Sequence, residues 1–165
     1  MKYKLLGNTG VKVSELCFGT MSFGNPADEA TSAAMFNRCR EAGINFFDCA
    51  NVYAAGKSEQ ILGKLVRGER DKVFVTSKMT GGLHDPAAGV GGFGYSRAQV
   101  VHHIDRSLQR LGTDYLDFYF LHRYDEHTAL EDAMRAMDDL ARAGKIRYAA
   151  LSNFCLLYTS PSPRD

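Results

Sequence analysis

A regular alternation of strand-like and helix-like segments constrains the fold of this chain more than any other feature. Five apolar, strand-like segments begin near Leu16, Ile44, Lys72, Tyr115 and Lys145, and a helix-like segment follows each of the first four. Repeated strand–helix units of this kind predict an α/β fold with a parallel sheet and right-handed crossovers. The pattern alone does not distinguish an open doubly wound sheet from a (β/α)8 barrel.

Local signals add detail at the ends of these segments. Two short alternating runs on either side of residues 8–10 predict a small N-terminal β-hairpin. Ser96 with Gln99 has the spacing of a capping box, and so has Thr128 with Glu131. Both spacings predict that the serine or threonine begins a helix.

Composition argues against several classes of function. The 165 residues are enough for one domain with a hydrophobic core, since 45% are hydrophobic and 24% are charged. A formal net charge of +1 argues against nucleic acid or a membrane surface as the main partner. The N-terminus has no apolar run of the signal-peptide type, and no stretch reaches membrane-spanning length. We therefore expect a cytoplasmic protein, whose oligomeric state the sequence does not define.

The cysteines and histidines give no sign of a metal site. No Cys-x-x-Cys spacing occurs, which argues against a disulfide framework or a zinc site. Cys17, Cys39 and Cys49 fall in segments that are predicted to form the core. His102 and His103 are adjacent on a predicted helix, so they face different directions. We expect a reducing compartment and no bound metal.

Polar residues interrupt the apolar strands at or just past their C-terminal ends. Asp48 continues an otherwise apolar strand face, because alternate residues of a strand share a face. Lys78 and His122 end two later strands in the same way, and Tyr53 lies in the loop after Asp48. Ligand sites of parallel α/β folds gather at this carboxyl edge of the sheet.

Each of these residues also has a purely structural interpretation. Asp48 could cap the following turn, Lys78 could extend to solvent, and His122 could be a core histidine with satisfied hydrogen bonds. The convergence of four such side chains at one edge favours a functional site over four separate structural roles.

The chemistry of the four side chains fits a proton donor. A phenol is a weak acid at neutral pH, a neighbouring ammonium stabilises its phenolate, and a carboxylate fixes the ammonium. Asp48, Lys78 and Tyr53 are therefore predicted to form a tuned acid. His122 is predicted to orient a substrate carbonyl or to help relay the proton.

Several ordered motifs resemble those of a known family. The sequences FFDCANVYAAGKSEQILGKLV, VFVTSKM, YLDFYFLHRYD and LSNF are similar to successive signature blocks of the aldo-keto reductases. The form of VYAAGKSE resembles the branch that includes the voltage-gated potassium channel β-subunits and bacterial general-stress reductases. The resemblance extends from the N-terminal hairpin to Phe154.

The resemblance implies a fold and a reaction. The fold would be the N-terminal part of a (β/α)8 TIM barrel, about five of its eight strands, preceded by a β-hairpin. The reaction would be reduction of a small carbonyl substrate by hydride transfer from a nicotinamide. Asp48, Tyr53, Lys78 and His122 match the family's catalytic tetrad, in which Tyr53 would be the general acid.

The resemblance also implies cofactor contacts. NADP(H) or NAD(H) would bind in an extended form without a Rossmann fold, and NADP(H) is favoured. Ser152 and Asn153 match the pair that binds the carboxamide, while Thr20, Met21 and Asp48 match positions near the nicotinamide. The family residues that hold the adenosine phosphate have no counterpart in these 165 residues, so they give no basis for choosing between the two cofactors.

Two other functions remain open at this point. A non-catalytic, nicotinamide-binding partner protein of the channel-subunit kind is the main alternative. In those subunits asparagine stands at the position of His122, and the histidine here favours an ordinary reductase. A barrel isomerase that uses no nicotinamide is the third possibility.

A literal G-x-G-x-x-G sequence occurs at residues 89–94, but its context differs from that of a dinucleotide fingerprint. The fingerprint requires its first glycine in the tight turn directly after a strand. Here Pro86 and a further loop separate the glycines from the strand that ends near Lys78. We interpret this stretch as a loop over the substrate entrance.

The sequence changes character after Phe154. Residues 155–165, CLLYTSPSPRD, resemble the in-frame translation of a sequencing adaptor, and a flexible Pro-Ser tail is the alternative. We expect residues 1–154 to be a truncated barrel domain, since such a barrel needs ~250 residues. Unpaired edge strands and an open inner face then predict poor solubility, weak cofactor binding and no reductase activity for this chain alone.

Overall fold

A computed structural model of the protein describes residues 1–80 and 94–154. The glycine run at 89–94, apart from Gly94, lies outside the described residues, and so does the tail at 155–165. The interpretations of these two segments therefore stay predictions.

The elements appear in the predicted order. A two-stranded antiparallel hairpin, β1 (Tyr3–Leu5) and β2 (Lys12–Ser14), comes first. The five further strands are β3 (Phe18–Gly19), β4 (Phe46–Asp48), β5 (Phe74–Met79), β6 (Leu116–Leu121) and β7 (Ile146–Leu151). The helices are α1 (Glu29–Glu41), α2 (Lys57–Val66), α3 (Arg97–Leu111) and α4 (Leu130–Arg142). Short 3₁₀ turns cover Tyr53–Gly56 and Arg70–Lys72.

Strands β3 to β7 form one parallel sheet in chain order, which confirms the predicted topology. Asp48 pairs with Thr76 across β4 and β5, and Lys78 pairs with Phe120 across β5 and β6. Because consecutive strands are neighbours, the polar residues at their C-terminal ends meet at one edge of the sheet.

The outer face of the sheet forms the core with the helices. Phe47, Val75 and Leu121 are fully buried in one cluster with apolar side chains of the four helices. Successive residues of a strand point to opposite faces of the sheet. The neighbours of Phe47, Val75 and Leu121 along their own strands therefore point to the other, inner face. The outer, core face and the inner face of each strand therefore follow from the alternation of residues in the sequence.

The inner face carries aromatic rings. Phe118 stacks on Tyr148 with 5.0 Å between ring centroids, and Phe46 lies 6.3 Å from Phe118. The hydroxyl of Tyr148 donates to the carbonyl of Thr9 at 3.2 Å, which ties the loop of the N-terminal hairpin to β7.

Of the two helix starts that the capping-box spacings predict, Ser96 is confirmed and Thr128 is wrong. Ser96 is the N-cap of α3 but makes no capping hydrogen bond, and Ala129 rather than Thr128 is the N-cap of α4. The hydroxyl of Thr128 instead donates to Asp125 Oδ2 at 2.7 Å and accepts the Tyr95 N–H at 3.1 Å. A tertiary contact has replaced the local cap.

The prediction that Cys17 lies in the core is also wrong, since this residue is exposed while Cys49 is fully buried. Cys17 precedes β3, which lies at an edge of the sheet in the described residues. Across residues 1–80 and 94–154, none of the helices has the length and apolar character that crossing a membrane requires.

Candidate active site

The site is built around an ion pair between Asp48 and Lys78. Lys78 lies on the inner face of β5, and its Nζ pairs with Asp48 Oδ2 at the end of β4. The same ammonium donates to the carbonyl of Cys49 at 2.8 Å, and Thr76 Oγ1 donates to Asp48 Oδ1 at 2.6 Å. The lysine side chain is only 9% exposed, so these contacts hold a charge that is largely removed from water.

Tyr53 lies beside this ammonium. It begins the 3₁₀ turn after β4, and its ring centroid is 5.3 Å from Lys78 Nζ. The next two residues, Ala54 and Ala55, have φ values of 48° and 54°. Each left-handed alanine costs roughly 1–2 kcal/mol, so the backbone that presents Tyr53 is strained and must be held by its surroundings.

His122 completes the group from the end of β6. Its ring centroid lies 6.2 Å from that of Tyr53, and its Nδ1 is 2.7 Å from Thr80 Oγ1. Burial, together with the nearby Lys78 ammonium, lowers the pKa of His122 below its usual value. The imidazole is therefore held in its neutral form at neutral pH.

Ser152 and Asn153 follow β7 and lie next to His122. Asn153 Nδ2 donates to the His122 carbonyl at 2.8 Å and to Ser152 Oγ at 3.0 Å. The Ser152 N–H donates to the carbonyl of Leu121 at 2.9 Å. A hydroxyl and an amide supply both donors and acceptors, which suits the carboxamide of a nicotinamide.

Thr20 and Met21 lie at the β3 end of the same edge. Thr20 is fully buried, and its hydroxyl donates to the carbonyl of Asp48 at 3.0 Å. Ser58 Oγ donates to the Thr20 carbonyl at 2.7 Å, which joins this strand end to α2. Met21, in contrast, is 67% exposed. The observed contacts of Thr20 fix the backbone of Asp48, so any contact with a cofactor at this position falls to Met21 or to backbone groups.

Sequence reasoning missed the buried ion pair of Glu59 and Arg110. Glu59 is fully buried on α2, where Arg110 Nε donates to its Oε2 and Ser77 Oγ donates to its Oε1, both at 2.5 Å. A Cβ at Gly56 would lie 2.8 Å from Arg110 Cδ, so this arginine also packs against the strained turn. The pair thus joins α3 to the turn after Tyr53 and to the strand that carries Lys78.

A signal for this ion pair was present in the sequence. Glu59 is followed by Leu62 and Val66, three and seven positions later, which places a carboxylate on the apolar face of α2. A buried acid of this kind needs a cationic partner, although spacing alone does not identify Arg110, 51 residues further along the chain.

Metal ligands are not grouped at this edge. Within the part of the chain that the structure describes, no three His, Cys, Asp or Glu side chains are placed to hold a metal ion.

Comparison with known proteins gives consistent results. The model of the Aldo/keto reductase family matches residues 15–158. An uncharacterized oxidoreductase of Bacillus subtilis, YrpG, is 38% identical over 93% of this chain and 50% of its own length. A probable voltage-gated potassium channel subunit beta of Oryza sativa is 38% identical over 93% of this chain and 47% of its own length. The chain thus spans about half the length of these curated relatives.

A solved structure shows the same fold. An aldo-keto reductase from Bacillus halodurans, in its holo form, matches with a TM-score of 0.82 at 34% identity, over 93% of this chain and 51% of that protein. The five parallel strands therefore correspond to part of a (β/α)8 barrel rather than to an open sheet. By sequence and by fold, the chain belongs to the aldo/keto reductase family.

Proposed function

We propose that the protein reduces an aldehyde or ketone to an alcohol with NAD(P)H, NADP(H) being the favoured cofactor. The observation that carries this proposal is the fixed ammonium of Lys78, held by Asp48 and by the Cys49 carbonyl beside the ring of Tyr53. Because the chain spans about half of its relatives, the proposal concerns the activity of the whole protein.

In the proposed reaction, Tyr53 gives its hydroxyl proton to the oxygen of the substrate carbonyl. Lys78 stabilises the phenolate that remains, and Asp48 keeps the ammonium in position. Neutral His122 faces the same ring and orients the carbonyl oxygen by a hydrogen bond.

The cofactor would lie along the same edge of the sheet. A bound nicotinamide supplies the hydride that reaches the carbonyl carbon. Ser152 and Asn153 would hold its carboxamide, since their side chains offer the required donors and acceptors next to His122. Asp48, Met21 and the backbone of Thr20 would flank the ring at the other end of the site.

The change Tyr53→Phe tests the acid directly. It keeps the ring beside Lys78 but removes the proton, so we expect turnover to fall by about 10²–10⁴-fold. Cofactor affinity should change little, because the proposed carboxamide contacts come from Ser152 and Asn153, directly after β7. Carbonyl-dependent oxidation of NADPH and fluorescence titration with NADPH measure the two effects.

The matched control for this test is Tyr115→Phe. Tyr115 lies at the opposite edge of the sheet, where its ring is stacked between Arg70 and Arg147. Turnover that survives in Tyr53→Phe, or that falls equally in Tyr115→Phe, would rule out Tyr53 as the general acid.

A non-catalytic, nicotinamide-binding protein of the channel β-subunit type is the second candidate. Two probable channel β-subunits, from Oryza sativa and Arabidopsis thaliana, are 38% and 37% identical to this chain. That function predicts NADPH binding without turnover of aldehydes or ketones in the unaltered protein, whereas a barrel isomerase predicts no NADPH binding at all.

A further inference from the structure

Tyr95 is a buried tyrosine whose hydroxyl lies between the ends of two strands. The residue directly precedes the N-cap of α3 and is 2% exposed. Its hydroxyl donates to the carbonyl of Arg123 at 2.7 Å and accepts the N–H of Arg123 at 3.1 Å. The carbonyl of Met79 lies 3.3 Å from the same oxygen.

These backbone groups belong to the residues that directly follow two proposed catalytic side chains. Met79 follows Lys78 on β5, and Arg123 follows His122 after β6. The carbonyl of Met79 also accepts the His122 N–H at 2.9 Å, close to where the ladder between the two strands ends. Buried backbone groups beyond a ladder need other partners, and the Tyr95 hydroxyl serves both strand ends.

The backbone of Tyr95 is itself fixed to the loop that follows His122. Its N–H donates to Asp125 Oδ2 at 3.2 Å and to Thr128 Oγ1 at 3.1 Å. At the preceding Gly94, a Cβ would lie 2.0 Å from Asp125 Oδ2, so the two segments approach closely. The backbone that carries the hydroxyl is therefore bonded to the segment that follows His122.

We infer that Tyr95 is a positioning residue of the reductase site, whose hydroxyl sets the separation between Lys78 and His122. This inference rests on the proposed function. If the strand ends move apart, the ammonium beside Tyr53 and the imidazole no longer converge on one carbonyl oxygen. Displacements of about 1 Å at a reacting centre can cost about 10²-fold in rate.

The test is Tyr95→Phe, with Tyr119→Phe as the matched control. Tyr119 is a fully buried tyrosine on β6, but it lies on the outer face near Ser107 and Arg110 of α3. Two measurements are made on each variant of the whole protein: the pH titration of the His122 imidazole by NMR, assigned with His122→Gln, and the kcat and KM for reduction of an aldehyde. The charged groups that face His122 are Lys78, Asp48 and Arg123.

We expect Tyr95→Phe to raise the pKa of His122 toward its ordinary value. Entry of water reduces the burial of the imidazole, and separation from Lys78 weakens the repulsion by its charge, and these are the two causes that lower the pKa. We expect kcat to fall by about tenfold or more with a smaller change in KM, and Tyr119→Phe to match the parent in both. If Tyr95→Phe is too unstable to measure, Thr128→Val loosens the backbone of Tyr95 and should move the His122 titration in the same direction.

An unchanged His122 titration in Tyr95→Phe overturns the inference, whether or not turnover falls. An equal shift in Tyr119→Phe overturns it as well, because general loosening of the core would then be the cause. If the unaltered whole protein reduces no carbonyl compound, the proposed function fails, while the titration still decides the role of Tyr95.

Discussion

At the carboxyl edge of the sheet, the fold opposes protonation of His122. Burial disfavours the charged imidazolium and Lys78 repels it, which lowers the pKa of His122, while Asp48 offsets only part of the effect. A neutral imidazole carries a single N–H. If Nδ1 donates to Thr80 Oγ1, Nε2 can only accept a hydrogen bond, and if Nδ1 accepts, Nε2 is the donor. Because this environment exists only in the folded state, it also makes the stability of the fold depend on pH.

This link predicts a pH dependence of stability. The unfolded chain takes up a proton at His122 near pH 6.5, whereas the folded chain does so only at lower pH. The free energy of unfolding should therefore fall as the pH drops below about 6.5, and His122 should contribute no slope above that value. Urea unfolding between pH 5 and 8 measures this, with His122→Gln as the comparison, and equal slopes for both proteins below pH 6.5 would contradict it.

At this scale the sequence predicted contacts that depend on strand parity, and it missed contacts that depend on distant elements. Asp48 and Lys78 meet because both end inward-facing rows on neighbouring strands. The buried contacts of Thr20 depend on Ser58, and those of Glu59 depend on Arg110. Both pairs require knowledge of how α2 and α3 pack, which no local pattern contains.

Helices α2 and α3 approach each other closely at Gly63 of α2. A Cβ at this position would lie 2.1 Å from the carbonyl oxygen of Leu111, at the end of α3. Glycine therefore permits the contact between α2 and α3 that also brings Arg110 to Glu59.

The change Gly63→Ala should destabilise the chain strongly. Because the added methyl group meets backbone rather than a movable side chain, we expect a loss of about 3 kcal/mol in the free energy of unfolding. Gly68→Ala is the matched control, since a Cβ there meets nothing within 4 Å, and its effect should be neutral or slightly stabilising. Chemical denaturation measures both variants, and similar midpoints for the two would show that α2 can shift away from α3.

The helices themselves were predictable, but the bonds at their ends were less so. Asp28 caps α1 as expected for an acid before a helix, with its Oδ1 accepting the Thr31 N–H at 2.8 Å. Thr128 had equally good spacing, yet its hydroxyl bonds to Asp125 in the loop that holds Tyr95. A local rule fails where a tertiary partner offers the same hydroxyl a competing bond.

The two ends of the parallel strands carry different polar groups. The carboxyl edge holds Asp48, Lys78 and His122, whereas the amino edge holds a buried carboxylate, Asp117. Strand periodicity predicted the parallel sheet, but it left the barrel undecided, because closure depends on the tilt and stagger of all the strands together. The resemblance of the sequence motifs to those of the aldo-keto reductases implied the barrel, and the match to the solved reductase structure confirms it.

Asp117 joins three strands at the amino edge. Its carboxylate accepts the Val75 N–H at 2.9 Å and lies 2.9 Å from Arg70 Nη1 and 3.1 Å from Arg147 Nη1. The side chain is almost completely buried, so both guanidinium groups depend on it for a counter-charge. In a barrel fold this edge contributes to stability, and the opposite edge carries the chemistry.

We therefore expect Asp117→Asn to lower the free energy of unfolding by about 3 kcal/mol, because it removes the charge from a buried pair. The exposed pair of Asp138 and Arg142 provides the control, and Asp138→Asn should cost about 0.5 kcal/mol or less.

Denaturant unfolding measures the stability, and the titration of His122 at denaturant concentrations below the unfolding transition reports on the site. Asp117→Asn should leave that titration unchanged in the folded molecules, whereas a shifted titration would mean that the two edges are coupled through β5 and β6. Tyr53→Phe should show the opposite pattern, with turnover lost and the unfolding midpoint nearly unchanged. The reason is that the carboxyl edge is proposed to carry the chemistry, whereas the amino edge contributes to stability.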